Sequence, residues 1–216
     1  MNNIYEYRKF LYPKFNIIEE KENNKSFFFR FLDNNEDNLI KCMKNNDFFN
    51  FEIMEQIKNI DSDFILKILE IYKDNNYNYV ITPFLDNYFT LRNLLIRKIN
   101  KISAEDLINL INYLADGIDS FHKNNIVHFD LVSINILIRE DFKDLKIIDF
   151  DLCKKKENDL SAIDKTSFFE IILRLIVKYN MYNKHHQIQY NKFKLDFFDE
   201  KLTCKKIVET LELTTY

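Results

Sequence analysis

Glycine is almost missing from this chain. One glycine, two prolines and no tryptophan occur in 216 residues. A glycine-rich phosphate loop of the usual kind is therefore excluded, because it needs several glycines close together to let the backbone approach an anion. Cysteine is scarce and scattered: Cys42, Cys153 and Cys204 are odd in number and far apart. Without a Cys-x-x-Cys pair, neither a zinc knuckle nor a disulfide framework is expected, and a reducing compartment is. An excess of positive charge is missing as well, since 31 Lys and Arg face 34 Asp and Glu for a net charge of −3. No nucleic-acid partner is expected from bulk charge of that kind. Long hydrophobic runs are also lacking. Nothing approaches the roughly 18 apolar residues of a spanning helix, and Arg8, Lys9 and Lys14 interrupt any signal-peptide pattern. The expected setting is intracellular and cytoplasmic with no membrane, or the host cell for a viral chain.

What is present is apolar and aromatic. Hydrophobic residues make up 46% and aromatics 15%, too much for a disordered chain. A chain of this length can bury roughly 70% of its unfolded surface without metals or disulfides. Residues 15–31 read as two strands around the polar tip 19–26, and Leu39 to Met43 as a third after the turn-like 33–38. Phe49, Ile53, Ile57 and Ile60 have helical spacing, with Asp47 as N-cap. Phe64 to Tyr72 and Tyr77 to Leu85 read as further strands, so the first half is mostly β with one helix. The second half is mostly helical. Thr90 to Ile96 predicts a short helix, Ser103 to Lys123 a long one with a capping-box start, Phe168 to Tyr179 a buried one and Leu202 to Leu213 an amphipathic one. Asn135 to Ile138 and Leu145 to Phe150 predict short strands around a polar turn.

The chemistry concentrates in Ile126-Val-His-Phe-Asp-Leu-Val-Ser-Ile-Asn-Ile-Leu-Ile138 and Leu145-Lys-Ile-Ile-Asp-Phe-Asp151. A polar loop carries His128, Asp130 and Asn135, and a following strand ends at Asp149. Pairing the two strands as a hairpin brings Asp149 to the mouth of that loop. Two carboxylates and an amide form a hard-oxygen set suited to Mg²⁺, which keeps several waters and takes few protein ligands plus phosphates. Phosphoryl transfer uses such a set: one carboxylate orients the attacking hydroxyl, and the others hold metal against phosphate oxygens. His122, His185 and His186 suggest no metal site.

This run, with its lead-in Phe121-His-Lys-Asn-Asn-Ile-Val-His128, resembles the catalytic loop and magnesium motif of the protein-kinase superfamily. That pattern is His-x-Asp-x-x-x-x-Asn followed by Asp-Phe-Gly. The resemblance spans about residues 15–213 and is specific at 121–151. It implies one α+β domain with a bilobal protein-kinase-like fold. The N-lobe, β-rich with one helix, is about 1–82, the hinge about 83–88, and the mostly helical, truncated C-lobe about 89–216. ATP and Mg²⁺ are the implied cofactors. Asp130 is the implied catalytic base, and Asn135 and Asp149 the metal ligands. Lys41, in Leu39-Ile-Lys41, is the implied phosphate-binding lysine, with Glu52 as its helix partner ahead of Glu55. Lys44, at odd parity from Lys41, would face the other way on a strand. Thr82, Pro83 and Leu85 match the nucleotide-binding hinge, and Leu137 joins them as a nucleotide contact. The Pro83 carbonyl can still accept from adenine, while the amide would come from Leu85. His128 is expected as a loop brace. Asp164 is expected to brace the catalytic-loop backbone or to cap the helix that follows.

Five departures qualify the resemblance. The acidic, polar 19–26 replaces the glycine loop, and Leu39 replaces a small residue under the adenine. Phe129 stands where an Arg precedes the catalytic Asp, Val132 where a loop lysine stands, and Asp151 where the motif has Gly. Phe129 carries no charge to pair with a phosphorylated loop, so activation by loop phosphorylation is not expected. Asp149 and Asp164 are only 15 positions apart, and no Ala-Pro-Glu motif follows. That short segment looks like compact kinases of the tRNA-modification-complex type and the lipopolysaccharide and aminoglycoside kinases. The leading expectation is a minimal ATP-dependent Ser/Thr protein kinase. Its rivals are an impaired pseudokinase acting as a binding or inhibitory module, and a small-molecule kinase. The partners implied are ATP and a protein or small-molecule hydroxyl acceptor; a protein partner is left open.

Overall fold

The computed structural model describes residues 11–22, 26–44, 49–157, 160–190, 196, 197, 199 and 201–215. The fold is α+β, with a β-rich N-terminal sheet and a helical C-terminal region. Contacts divide the chain into two compact units: one runs to Asn59 and resumes over Leu66–Asp86, and the other takes Ile60–Ile65 and everything from Asn87.

The first unit is one antiparallel sheet with a helix. Strands β1 (Asn16–Glu22), β2 (Ser26–Asp33), β3 (Glu36–Lys44), β4 (Glu70–Lys73) and β5 (Tyr77–Pro83) lie in the order β1-β2-β3-β5-β4. Period-two alternation builds its core. Phe27, Phe29 and Phe31 of β2 share a face with Ile40 and Cys42 of β3 and Tyr77, Tyr79 and Ile81 of β5. The β2–β3 connection is a two-residue turn, and asparagine takes the place of glycine in it. Asn34 and Asn35 have φ of 50° and 67°, the left-handed values a tight hairpin turn requires. Helix α1 (Phe51–Lys58) buries Ile53, Met54 and Ile57. Its N-cap is Asn50, whose side chain accepts from the Ile53 amide at 3.1 Å. Asp47, the expected cap, lies outside the described residues.

The second unit is built on helices. Strand β6 (Tyr88–Thr90) leads to a single turn, α2 (Leu91–Asn93), which widens into a π-helical turn over Leu94–Lys98. Helix α3 (Ala104–Lys123) starts at the predicted cap, with Ser103 Oγ accepting from the Asp106 amide at 3.0 Å. Then come β7 (Ile126–Val127), β8 (Ile136–Arg139), β9 (Leu145–Ile147) and β10 (Lys154–Lys155). Helix α4 (Ser161–Tyr182), β11 (Ile188–Gln189), α5 (Cys204–Leu211) and β12 (Thr214–Thr215) complete the unit. β6, β8 and β9 form one antiparallel sheet, and β7 pairs with β10.

The strand expected over Phe64 to Tyr72 divides between the units. Only Glu70–Lys73 is a strand; Ile65 makes a single parallel bridge to Ile147, whose amide donates to the Phe64 carbonyl at 2.8 Å. Phe64 also stacks on Tyr113 of α3, ring centroids 4.9 Å apart. The chain's one glycine explains how α3 comes so close. A Cβ at Gly117 would stand 2.8 Å from Ile147 Cδ1 and 3.1 Å from Phe64 Cβ. Asp119, buried on α3, caps α5 by accepting from the Cys204 and Lys205 amides at 2.8 and 2.9 Å.

Candidate active site

The polar loop leaves α3 through a left-handed turn at Asn125 (φ 56°) and the buried pair Ile126–Val127. His128 is fully buried. Its Nε2 donates to the Ile148 carbonyl at 3.1 Å, so Nδ1 can accept the Asp130 amide at 3.4 Å. The ring packs edge-on against Phe121 and Phe150, at centroid distances of 5.7 and 6.1 Å. This is the brace expected of it. Asn135, also buried, ties the loop shut. Its Nδ2 donates to the Asp130 carbonyl at 3.0 Å and to Asp130 Oδ2 at 2.9 Å, while its own carbonyl accepts the Ile148 amide at 2.9 Å. The last bond extends the β8–β9 pairing and sets Asp149, next in the chain, beside Asn135. Asp149 itself turns the chain with φ 66°.

Asp164 holds the loop from beneath. Its carboxylate is fully buried and accepts the backbone amides of His128 at 2.8 Å and Phe129 at 2.9 Å, and pairs with His122 Nε2 at 3.0 Å. Phe129 has φ 66°, a costly conformation for a bulky residue, and the Asp164 bond to its amide holds it there. Of the two expected roles for Asp164, the brace is the one observed. The helix begins three residues earlier at Ser161 and its N-cap is Leu160.

Negative charge gathers in this region. Burial first, and then the charges of Asp164, Asp151, Asp149 and Asp130, push the Cys153 thiol well above its ordinary value. The thiol is buried and suited to packing, not to nucleophilic attack. Among the described residues no group of three His, Cys, Asp or Glu is arranged to hold a metal alone. An Asp149 carboxylate with the Asn135 amide oxygen is a smaller set, of the kind Mg²⁺ accepts when waters and phosphates supply the remaining ligands. With Nδ2 committed to Asp130, Oδ1 is the Asn135 side-chain atom that can ligate a cation. Leu137, half-buried on β8, pairs with Thr90 and Lys146.

In the first unit, register groups three residues discussed above. Leu39 lies opposite Thr82 and Lys41 opposite Val80, so Leu39, Lys41 and Thr82 share the sheet face away from the aromatic core. Lys44 pairs with Tyr77 on the other face, as its parity requires. Glu52 is exposed in the first turn of α1, and Glu55 is half-buried one turn on. Pro83 ends β5, opposite Asn38. Leu85 follows two residues later and is half-buried. The Phe84 amide between them donates to the Asp37 carbonyl at 2.8 Å, and the Arg30 guanidinium, bidentate on Asp37, lies 3.9 Å from the Phe84 ring centroid.

Two contributors are not evident from the motif. His122 lies in the lead-in run and suggests no metal site, and its position six residues before His128 is the one signal for a structural role. Lys154 gave no signal beyond its place in a lysine triplet, yet its ammonium lies 3.9 Å over the Phe129 ring.

A buried Asp brace, a His-packed loop and an amide tied to the loop carboxylate define a protein-kinase-type catalytic loop. The family model described as the protein kinase domain matches residues 17–188, and the chain belongs to that family. Calcium-dependent protein kinase 4 of Plasmodium berghei (strain Anka) is 33% identical over 115 residues, 52% of this chain and 21% of the relative. A protein of Acanthamoeba polyphaga mimivirus named "Putative serine/threonine-protein kinase R436" is 37% identical over 106 residues, 47% of this chain and 37% of the relative. The chain thus aligns with a fifth to little more than a third of these relatives' lengths.

Proposed function

We propose that the protein is an ATP-dependent phosphotransferase, a minimal serine/threonine protein kinase that passes the γ-phosphate to a hydroxyl of a protein. The observation that carries this reading is the Asn135 amide bonded to the Asp130 carboxylate on a loop braced by Asp164. Asp130 orients the acceptor hydroxyl and takes up its proton as the phosphoryl group is transferred. Asn135 fixes that carboxylate and, with Asp149, holds Mg²⁺. Mg²⁺, when bound, neutralises the charge developing on the phosphate oxygens. Lys41 is assigned to the α- and β-phosphates, with Glu52 as its partner. Thr82, Pro83, Leu85 and Leu137 are assigned to the adenine. These assignments draw on the motif match and on the shared face of Leu39, Lys41 and Thr82. The intracellular setting remains part of the same proposal.

Transfer from labelled ATP with Mg²⁺ to a mixture of Ser- and Thr-containing peptides tests it. Wild type labels the peptides, and Asp130→Asn and Asp149→Asn each lower the rate by at least about a hundredfold, as expected for loss of a base or a metal ligand. A second reading, a nucleotide-binding pseudokinase, is favoured by Glu19, Glu20 and Glu22 on β1, where like charge repels phosphate. ATP binding without transfer to peptides or to small hydroxyl compounds selects it. Transfer only to the small compounds selects a small-molecule kinase.

A further inference from the structure

The segment after Asp149 is pinned to the candidate catalytic loop by contacts the function has not used. Strand β10 pairs with β7, Lys154 opposite Val127 and Lys155 opposite Ile126. The Lys156 amide donates to the Asn125 carbonyl at 2.7 Å, and the Cys153 amide to the Phe150 carbonyl at 3.0 Å. Above this ladder the Lys154 ammonium sits 3.9 Å from the centroid of the Phe129 ring. Phe129 is therefore held at both ends. Asp164 takes its amide and Lys154 covers its ring, and its left-handed backbone leads directly into Asp130.

We propose that Lys154 is a positioning residue for the Asp130 carboxylate, acting through Phe129, and that this contact seats the post-Asp149 segment without phosphorylation. The inference rests on the phosphotransferase reading. Its physical basis is an exchange of partners. The family pattern puts a loop cation before the catalytic Asp to meet a phosphate on the segment. Here the segment supplies the cation and the loop supplies the face of an aromatic ring, an attraction that needs no modification. The contact is present as soon as the chain folds, which implies a kinase that is switched on without a phosphate on this segment.

A double-mutant cycle tests the proposal. Lys154 is exposed, and Lys154→Met and Phe129→Leu are each expected to lower kcat by about twofold to fivefold, the range an exposed cation–π contact can supply. The KM for ATP should stay within about twofold of wild type, because the contact bears on the acceptor side. The double variant should be no worse than the more damaged single one, and Lys154→Arg should recover most of the rate. Phosphatase treatment should leave wild-type kcat unchanged. Hydrogen exchange supplies a readout free of catalysis: Lys154→Met should speed exchange at 126–130 and 153–156 and not elsewhere. Unchanged kcat and exchange in Lys154→Met overturn the proposal, as do additive losses, a KM-only effect or phosphatase inactivation. Absence of any transfer by wild type overturns the phosphotransferase reading and the positioning role together. Transfer with an indifferent Lys154→Met overturns the positioning role alone.

Discussion

Asp144 shows how one side chain can hold a hairpin together. It accepts from Lys146 Nζ at 2.8 and 2.9 Å, from the Leu145 amide at 2.7 Å and from the Tyr88 hydroxyl. Burial works to raise its carboxyl, but the bonds from Lys146, Tyr88 and the Leu145 amide hold it below the ordinary value of 3.8. A depressed carboxyl stabilises the fold above its unfolded value and loses that contribution as pH falls through the folded one. Asp144→Asn should therefore be less stable than wild type at pH 7, with the difference shrinking below pH 3.8. Urea midpoints across an acid series measure this, and a gap that stays constant with pH would refute it. The same scale contains the parts of the site that were legible in sequence. His128, Asp130 and Asn135 fall within eight consecutive positions, and a short loop must bring them close. Their spacing gave a polar cluster, and the resemblance to the protein-kinase motif gave each residue its expected role.

Among the elements, helix α3 depends on a residue notable for its rarity. Gly117 faces Ile147 and Phe64, and Ile147 lies in β9, two residues before Asp149. Alanine at this position gains up to about 1 kcal/mol of helix propensity. It must also push aside a buried isoleucine methyl and the Phe64 Cβ, at about 1–3 kcal/mol for overpacking. Gly117→Ala should be mildly destabilising, and Gly117→Val should cost more than about 3 kcal/mol and slow phosphoryl transfer by shifting β9. Chemical denaturation of both variants checks this, and a Gly117→Val protein as stable as wild type would contradict it. Element boundaries were partly legible. Ser103 marked the start of α3 because a cap and its helix are adjacent in the chain. The split of 64–72 was not legible, because its apolar run suits a strand equally well on either unit and packing alone chose. Likewise Asp119 caps α5 from 85 residues away, with no local signal.

For the whole molecule, the measurable consequence is linkage. A ligand that binds only the folded chain raises stability by RT ln(1 + [L]/Kd), about 2.7 kcal/mol at a hundred times Kd. Mg²⁺–ATP is expected to raise Tm, ATP with a chelator to raise it less, and Asp149→Asn to erase the difference between the two. Equal shifts with and without Mg²⁺ in wild type would remove Asp149 and Asn135 from the metal role. The experiment also bears on the missing glycines: if Lys41 and the cation carry the phosphates as proposed, they do so beside a strand that holds Glu19, Glu20 and Glu22 in place of a glycine loop.

Sequence alone determined the kinase-like motif at 128–135 and 149, the strand-then-helix order and the absence of a glycine loop, because each is read from residue types and their spacing along the chain. Tertiary structure decided the rest. It chose the brace over the cap for Asp164, gave His122 its partner, split 64–72 between two units and set Lys154 over Phe129. Those outcomes join groups 25 to 42 positions apart or turn on which surface an apolar segment finds to bury against. No local pattern encodes such a choice; it is made when the cores pack.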